Sequence, residues 1–282
     1  MTDADARTLE APARFASFGT LGRVCRLGLA TRGNTHLDPE AVLEAVERGV
    51  NFLNWCGHPD GLSEAVRQLG GKRGEVKVAV QLAARTADAA RRELDEMREQ
   101  LGTAHLDVVT YYYVEHAREW EAITARGGAA DVVERARHDG AVGAIGLTSH
   151  QRPLAAQLVA SGRLDALMVR YNAGHRGAEN DVFPVCDRAG IPVITYTGTR
   201  WGALMKSTRD DPAGWDPPGA PAWYRFVLCH PTVTVGLMAP DGREELREDL
   251  EMLECWRGFS ESEYAALRAH GDRVRRHGGR FS

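Results

Sequence analysis

The amino-acid sequence predicts an α/β fold closed as a single (β/α)8, or TIM, barrel over residues 1–282. Three observations carry that expectation. Short apolar runs alternate with longer segments of helical periodicity, the pattern of a parallel sheet assembled from βαβ units. The length of 282 residues suits eight units of about thirty residues folded as one domain. No G-x-G-x-x-G follows the first strand and no P-loop occurs, so the mark of a dinucleotide-binding doubly wound sheet is missing.

Residues 14–24 (RFASFGTLGRV) read as a hairpin ahead of the barrel. The first barrel strand is CRLGLAT (25–31), followed by a helix over Pro39–Arg48 with Asp38 as N-cap. NFLNWC (51–56) leads to a helix from Gly61 to Leu69, and VKVAVQL (76–82) to a long one from Ala87 to Leu101. LDVVTYYY (106–113) precedes a helix ending near His138, and AVGAIGLT (141–148) precedes one over Pro153–Ala160. LDALMVRYN (164–172) is followed by a helix over Glu179–Ala189, and IPVITYT (191–197) is the seventh strand. The alternation breaks at 205–224, whose Pro/Gly/Asp-rich start reads as an irregular loop, with a short helix over Ala222–Leu228. TVTVGLMA (232–239) and a helix over Arg243–Cys255 complete the eighth unit. Ser260 and Glu263 form a capping box that opens a basic C-terminal helix running to His277.

Composition narrows the function classes. The formal net charge is -4 with both signs interspersed, so nucleic acid is not the expected partner. No apolar run approaches the roughly 18 residues of a membrane span, and the polar start MTDADARTLEAPARF lacks a secretory pattern. Five scattered cysteines without a CxxC pair read as free thiols in a reducing cytoplasm.

Five segments, in order and at matching spacing, resemble the aldo-keto reductases over nearly the whole chain: AVLEAVERGVNFLN (41–54), GLSEAVRQLGG (61–71), GAVGAIGLTSH (140–150), MVRYNAGHRGAENDVFPVCDRAGIPVITYT (168–197) and HPTVTVGLMAPDGREELREDL (230–250). The resemblance implies a site at the C-terminal mouth of the barrel, with NADPH lying extended across it. It also implies a catalytic tetrad of Asp, Tyr, Lys and His, in which Tyr protonates the carbonyl oxygen, Lys lowers its pKa, Asp holds Lys and His orients the substrate. All four are replaced here. The Asp and Lys positions hold Asn54 and Gln81, a neutral pair able to hydrogen-bond each other. Tyr112 takes the His position, and the Tyr position falls on Pro59 or, with a shift of one, on His58.

At the cofactor positions the resemblance places Tyr196 against the nicotinamide ring and Thr148 and Ser149 on its carboxamide, with Met168 in place of the Gln that also grips it. The segment GTRWGALMK (198–206) stands where the family covers the pyrophosphate; Thr197, Thr199 and Arg200 are its candidate anion ligands, and Arg200 with Trp201 reads as an exposed-type pair. Around the adenosine 2′-phosphate, Ala239, Pro240 and Glu245 replace the family's Lys-Ser and Arg, and Asp249 replaces an adenine-contacting Asn. Arg243 or Arg247 could compensate after a small shift. Loss of two cations and gain of an acid disfavour a dianionic phosphate, so NADH is expected over NADPH.

Each candidate has a plainer alternative. His58 could replace the missing acid, or be an exposed loop residue before Pro59. Of Tyr111, Tyr112 and Tyr113, strand alternation turns one or two away from the axis, and Tyr112 holds the substrate-orienting position. Cys56 is a mouth nucleophile or a small apolar filler. His58, His116, His150 and His175, with Glu115 or Asp60, follow successive strands but lack short ligand spacing, and no metal is expected. The basic tail RVRRHGGR could reach an anion or be a solvated face. The reading is an aldo-keto-reductase-like oxidoreductase acting on a small carbonyl or alcohol with NADH or NADPH, His58 or Tyr112 serving as acid/base. A lyase or isomerase on the same barrel, or a non-catalytic nucleotide- or partner-binding relative, are the alternatives.

Overall fold

A computed structural model describes residues 8–9, 12–31 and 36–278. Eight parallel strands close into a barrel in sequential order. Ahead of it, β1 (Phe15–Ser17) and β2 (Arg23–Cys25) form an antiparallel hairpin. The barrel strands are β3 (Leu27–Ala30), β4 (Phe52–Trp55), β5 (Lys77–Leu82), β6 (Leu106–Tyr111), β7 (Val142–Ser149), β8 (Ala166–Arg170), β9 (Val193–Tyr196) and β10 (Val233–Met238). The helices outside them are α1 (Pro39–Glu47), α2 (Gly61–Gln68), α3 (Ala87–Leu101), α4 (Ala117–Thr124), α5 (Ala129–His138), α6 (Arg152–Ala160), α7 (Ala178–Asp181), α8 (Phe183–Ala189), α9 (Ala220–Leu228), α10 (Arg243–Glu254) and α11 (Glu261–His277).

Strand alternation sorts side chains into two layers. Outward residues such as Leu53, Trp55, Val78, Val80 and Val109 pack against the helices in the larger core. Inward residues Ala30, Phe52, Ala79, Val108, Ala144, Ala166, Met168, Ile194, Val235 and Leu237 fill the barrel, and Phe18 and Val24 of the hairpin close its lower end. The same period leaves Asn54 and Gln81 facing inward one step above Phe52 and Ala79. Both therefore arrive at the C-terminal mouth.

Several boundaries differ from the sequence expectation. The run 25–31 breaks at Arg26, whose buried guanidinium donates to the carbonyls of Leu228 (3.0 Å) and Val233 (2.5 Å) and ends the hairpin before the barrel begins. The β6–β7 connection holds two helices, α4 and α5, divided near Gly127, which has φ 80°. The expected Glu179–Ala189 helix is split at Val182 into α7 and α8, and the short helix after the irregular loop starts at Ala220. Thr8–Leu9 pairs antiparallel with Phe259–Ser260, a contact between chain ends that local pattern cannot foretell. The Asp38 cap on α1 and the Ser260–Glu263 capping box on α11 are present as expected.

The C-terminal helix is fastened against the loops that follow β8 and β9. A Cβ on Gly271 would lie 2.3 Å from the Ala173 carbonyl oxygen, so α11 approaches the β8–α7 loop where only glycine fits. Buried His270 bonds Leu204 O through Nε2 (3.0 Å) and Asp211 through Nδ1 (2.9 Å), while Arg273 Nε donates to Asp211 (2.5 Å). These contacts tie α11 to the irregular loop before α9.

Candidate active site

A cavity of about 370 Å³ opens at the C-terminal mouth and runs from the barrel axis to α10. Its floor is the Asn54–Gln81 pair. Gln81 Nε2 donates to Asn54 Oδ1 at 3.4 Å and lies 3.8 Å from Met168 Sδ, while Asn54 Nδ2 reaches Cys56 Sγ at 3.6 Å. The floor is thus uncharged and internally bonded.

The tyrosine run divides as alternation requires, with one departure. Tyr111 points outward, packed edge-on to Trp120, and burial raises its pKa. Tyr112 lines the cavity. Tyr113 lines it too, because φ of 44° turns the chain at the end of β6 and breaks the two-residue period. Its ring lies 4.1 Å from that of Tyr112 and stacks on His150 at 4.4 Å. A bulky residue in this left-handed region stores strain. Thr197, Arg200 and Trp201 share positive φ, so all four such non-glycine residues among those described sit at the mouth.

His58 is exposed and is absent from the cavity lining; its carbonyl accepts from Trp55 Nε1 at 2.8 Å. The loop after β4 is bent outward there by Gly57, at φ 87°. His150, by contrast, is half-buried beside the site. Its Nδ1 lies 3.3 Å from Glu115, and burial, followed by the nearby Arg170, lowers its pKa.

At the expected nicotinamide end, Thr148 and Tyr196 line the cavity, and the buried hydroxyl oxygens of both lack a hydrogen-bond partner. Burial raises the Tyr196 pKa, so it remains a neutral phenol. Both residues line the cavity, while the two hydroxyl oxygens themselves are closed off from solvent in this state. Ser149 lies outside the lining: it is fully buried and accepts from Gln151 N at 3.0 Å, serving the start of α6. Thr197 and Thr199 line the cavity, the first donating to Tyr196 O (2.7 Å) and the second accepting from Gly202 N (3.3 Å).

Arg200 corrects the expectation of an exposed anion ligand. It is 2% exposed, and its guanidinium donates to the carbonyls of Val274 (2.9 Å) and Gly278 (3.4 Å), tying the loop to α11. Trp201 is exposed at 48%, lines the cavity, and carries the Arg170 guanidinium 5.5 Å from its ring. Arg243 and Arg247 also leave the site. They pair with Asp38 (2.7 Å) and Glu44 (3.0 Å), on and beside α1.

The α10 end of the cavity is lined by Asp241, Glu245, Glu248 and Asp249. Sequence reasoning singled out Glu245 and Asp249 but not the whole cluster, although the spacings of three and four residues from Glu245 to Glu248 and Asp249 already bring those three together on α10. No Lys, Arg or His lines the cavity among the described residues. Asp249 is 2% exposed, and burial, then Glu248 and Glu245, push its carboxyl up to about 8. Tyr113, Cys56 and Trp201 join the lining as well. Tyr113 enters through a backbone turn that carries no sequence signal.

The four histidines after the strands do not gather into a metal-holding group of His, Cys, Asp or Glu among the described residues. No described helix is long and apolar enough to cross a membrane.

A family model for the aldo/keto reductase family matches residues 27–222. An NADH-specific methylglyoxal reductase of Escherichia coli (strain K12) is 24% identical over 177 residues, covering 60% of this chain and 46% of that protein. The chain therefore aligns with about half the length of this curated relative. An aldo/keto reductase from Klebsiella pneumoniae in complex with NADP and acetate superposes with a TM-score of 0.74 at 18% identity, over 92% of this chain and 95% of that one. The holo form of an aldo-keto reductase from Bacillus halodurans gives 0.72 at 13% identity, over 91% and 96%. At such identities the structural likeness speaks to the fold, an aldo-keto-reductase barrel.

Proposed function

The chain belongs to the aldo/keto reductase family, and from that premise we propose an NAD(P)H-linked oxidoreductase that interconverts a small carbonyl compound and its alcohol, with NADH preferred. The observation that carries this reading is the two-ended cavity, with Thr148 and Tyr196 in its lining at one end and an acidic lining without Lys, Arg or His, among the described residues, at the other. The methylglyoxal reductase relative, named as NADH-specific, supports the same cofactor.

In this reading a bound nicotinamide cofactor supplies hydride. Thr148 and Tyr196 hold its carboxamide and ring, and Thr197 and Thr199 add hydroxyls along its length. The acids on and before α10 accept hydrogen bonds from ribose hydroxyls but repel a 2′-phosphate. Tyr112 donates the proton to the carbonyl oxygen, because its ring is in the cavity and His58 is not. Such proton donation is worth about 10²–10⁴-fold in rate. Asn54 and Gln81 keep the floor of the cavity neutral.

Calorimetric titration with NADH and NADPH tests the reading. Micromolar NADH binding with NADPH at least tenfold weaker is expected; equal affinities, or tighter NADPH, would overturn the cofactor assignment. The neutral floor favours a second reading, a lyase or isomerase in the same barrel. Proton exchange on carbonyl substrates without any nicotinamide would establish that one instead.

A further inference from the structure

Beside the cavity, rather than in it, the barrel mouth gathers positive charge from four elements. Arg170 ends β8, Arg152 opens α6, Arg275 lies on α11, and Arg200 belongs to the loop after β9. Contacts along the chain bring them around His175. The Arg170 guanidinium lies 5.5 Å from the centre of the Trp201 ring. The Arg200 side chain passes Gly174, 3.5 Å from where a Cβ would stand, and ends on the carbonyl of Val274, the residue before Arg275. Arg152 reaches Gly177 so closely that a Cβ there would overlap its guanidinium. His175 is half-buried between these glycines, with Nδ1 3.4 Å from Asn172 Oδ1.

Counter-charge is short there. Among the described residues the half-buried Arg170 has neither a hydrogen bond nor a carboxylate partner, and its Nε is enclosed without an acceptor. Exposed Arg275 is likewise without a carboxylate partner among those residues, and Arg152 stands 3.6 Å from Asp181. The other acids of the surrounding elements are engaged elsewhere: Glu115 with His150 (3.3 Å), Asp272 with Arg176 (2.8 Å) and Glu179 with Arg268 (3.6 Å). Burial, followed by Arg200, Arg170, Arg275 and Arg152, pushes the His175 imidazole down to about 4, so its ring is neutral. Positive groups held together by the fold without matching carboxylates create a field that draws in an anion. Guanidinium forks match the paired oxygens of phosphate and carboxylate.

We propose that Arg170, Arg275 and Arg152, grouped around His175, form an oxyanion site at the rim of the mouth, separate from the cavity, which takes the phosphate or carboxylate group of a small molecule. Arg200 adds its charge from a guanidinium already held by α11, and neutral His175 keeps an N–H to donate. Trp201 belongs to both places, since its ring lines the cavity and carries Arg170. A molecule with an oxyanion and a carbonyl group can therefore span the two across Trp201, whereas a free anion fills the arginines alone. The acids at the α10 end of the cavity repel the same group, so the field across the mouth favours one placement. The site does not depend on the cofactor assignment.

Calorimetric titration with inorganic phosphate and with sulfate, at low ionic strength, tests the site in the wild type, Arg170→Met, Arg275→Met and the double variant, each checked for folding by circular dichroism. Millimolar or tighter phosphate binding is expected, weaker by about fivefold or more in each single variant and lost in the double. Arg91→Met, on α3 and already paired with Asp88, is the control and should bind as the wild type does. Added chloride should weaken binding, because the charges are partly exposed. Followed by NMR, the His175 ring should titrate at higher pH when phosphate is present, since the anion offsets the arginines around it. Saturating ADP-ribose should change phosphate affinity by less than about twofold, as uncoupled sites require. Glycolaldehyde phosphate identifies the source of the anion: tighter binding than inorganic phosphate assigns it to the tail of a carbonyl substrate, and equal binding to a free anion. Absence of phosphate binding, equal binding by the double variant, or an unmoved His175 titration would overturn the proposal. Displacement of phosphate by ADP-ribose would place the anion in the cavity and refute a separate site.

Discussion

Replacing Asp249 by Asn should stabilise the protein, and by an amount that grows with pH. In the folded chain the carboxyl holds its proton up to about 8, whereas the usual carboxylate value is 3.8. Between those values the folded state binds one more proton than the unfolded chain, so stability falls as pH rises. At about 1.36 kcal/mol per pH unit, the wild type gives up on the order of 4 kcal/mol between pH 4 and pH 7, and about 5 kcal/mol by pH 8. Asparagine has the same shape and does not ionise. The gain of Asp249→Asn should therefore be near zero at pH 4, about 4 kcal/mol at pH 7, and level above the folded-state pKa. A shift of roughly 10 °C in Tm at pH 7 corresponds to that figure for a chain of this size. Urea unfolding followed by circular dichroism at four or five pH values gives the whole curve. Parallel stability profiles for the wild type and Asp249→Asn would show that Asp249 is ionised in the fold and would refute the reasoning. The exposed neighbour Glu248, replaced by Gln, should change stability by less than about 1 kcal/mol at any pH.

Other perturbations separate the structural residues from the chemical ones. His58→Ala should leave kcat/KM within about twofold, while Tyr112→Phe should lower it by about 10²-fold or more; equal activities of the two variants would remove Tyr112 as proton donor. Arg200→Met should cost about 2–4 kcal/mol of stability and expose α11 to protease, since two carbonyls lose their donor. A large loss of NADH affinity with unchanged stability would instead restore Arg200 as an anion ligand. Burial alone would raise the Asp211 pKa, but the Thr208 amide, His270 and Arg273 outweigh it and hold the carboxyl well below the carboxylate range. Its contribution is present above the usual carboxylate value and is lost as pH falls through the acid range. Asp211→Asn should make the loop before α9 more sensitive to protease at neutral pH, and no change in cleavage would count against the latch.

The sequence by itself determined the barrel, because eight apolar runs in alternation with amphipathic helices have few ways to bury both faces of a parallel sheet. It also determined which residues share the mouth wherever a strict two-residue period operates. Asn54 and Gln81 each lie two residues beyond an inward core residue, and their contact follows from that register. Caps at Asp38 and Ser260 were equally legible, since both depend on neighbours within three residues. Tertiary structure alone decided the rest. Arg200 reads in sequence as a loop cation, but its environment is set by α11, more than seventy residues away. The outward bend after β4 that removes His58, and the left-handed turn that brings Tyr113 inward, are backbone choices with no periodic signal. Asp249 reads in sequence as the replacement for an adenine-contacting Asn, with no sign of its burial. Only the packing of α9 against α10 buries it among other carboxylates, and a proton's place depends on the whole of that surrounding field rather than on the residue that carries it.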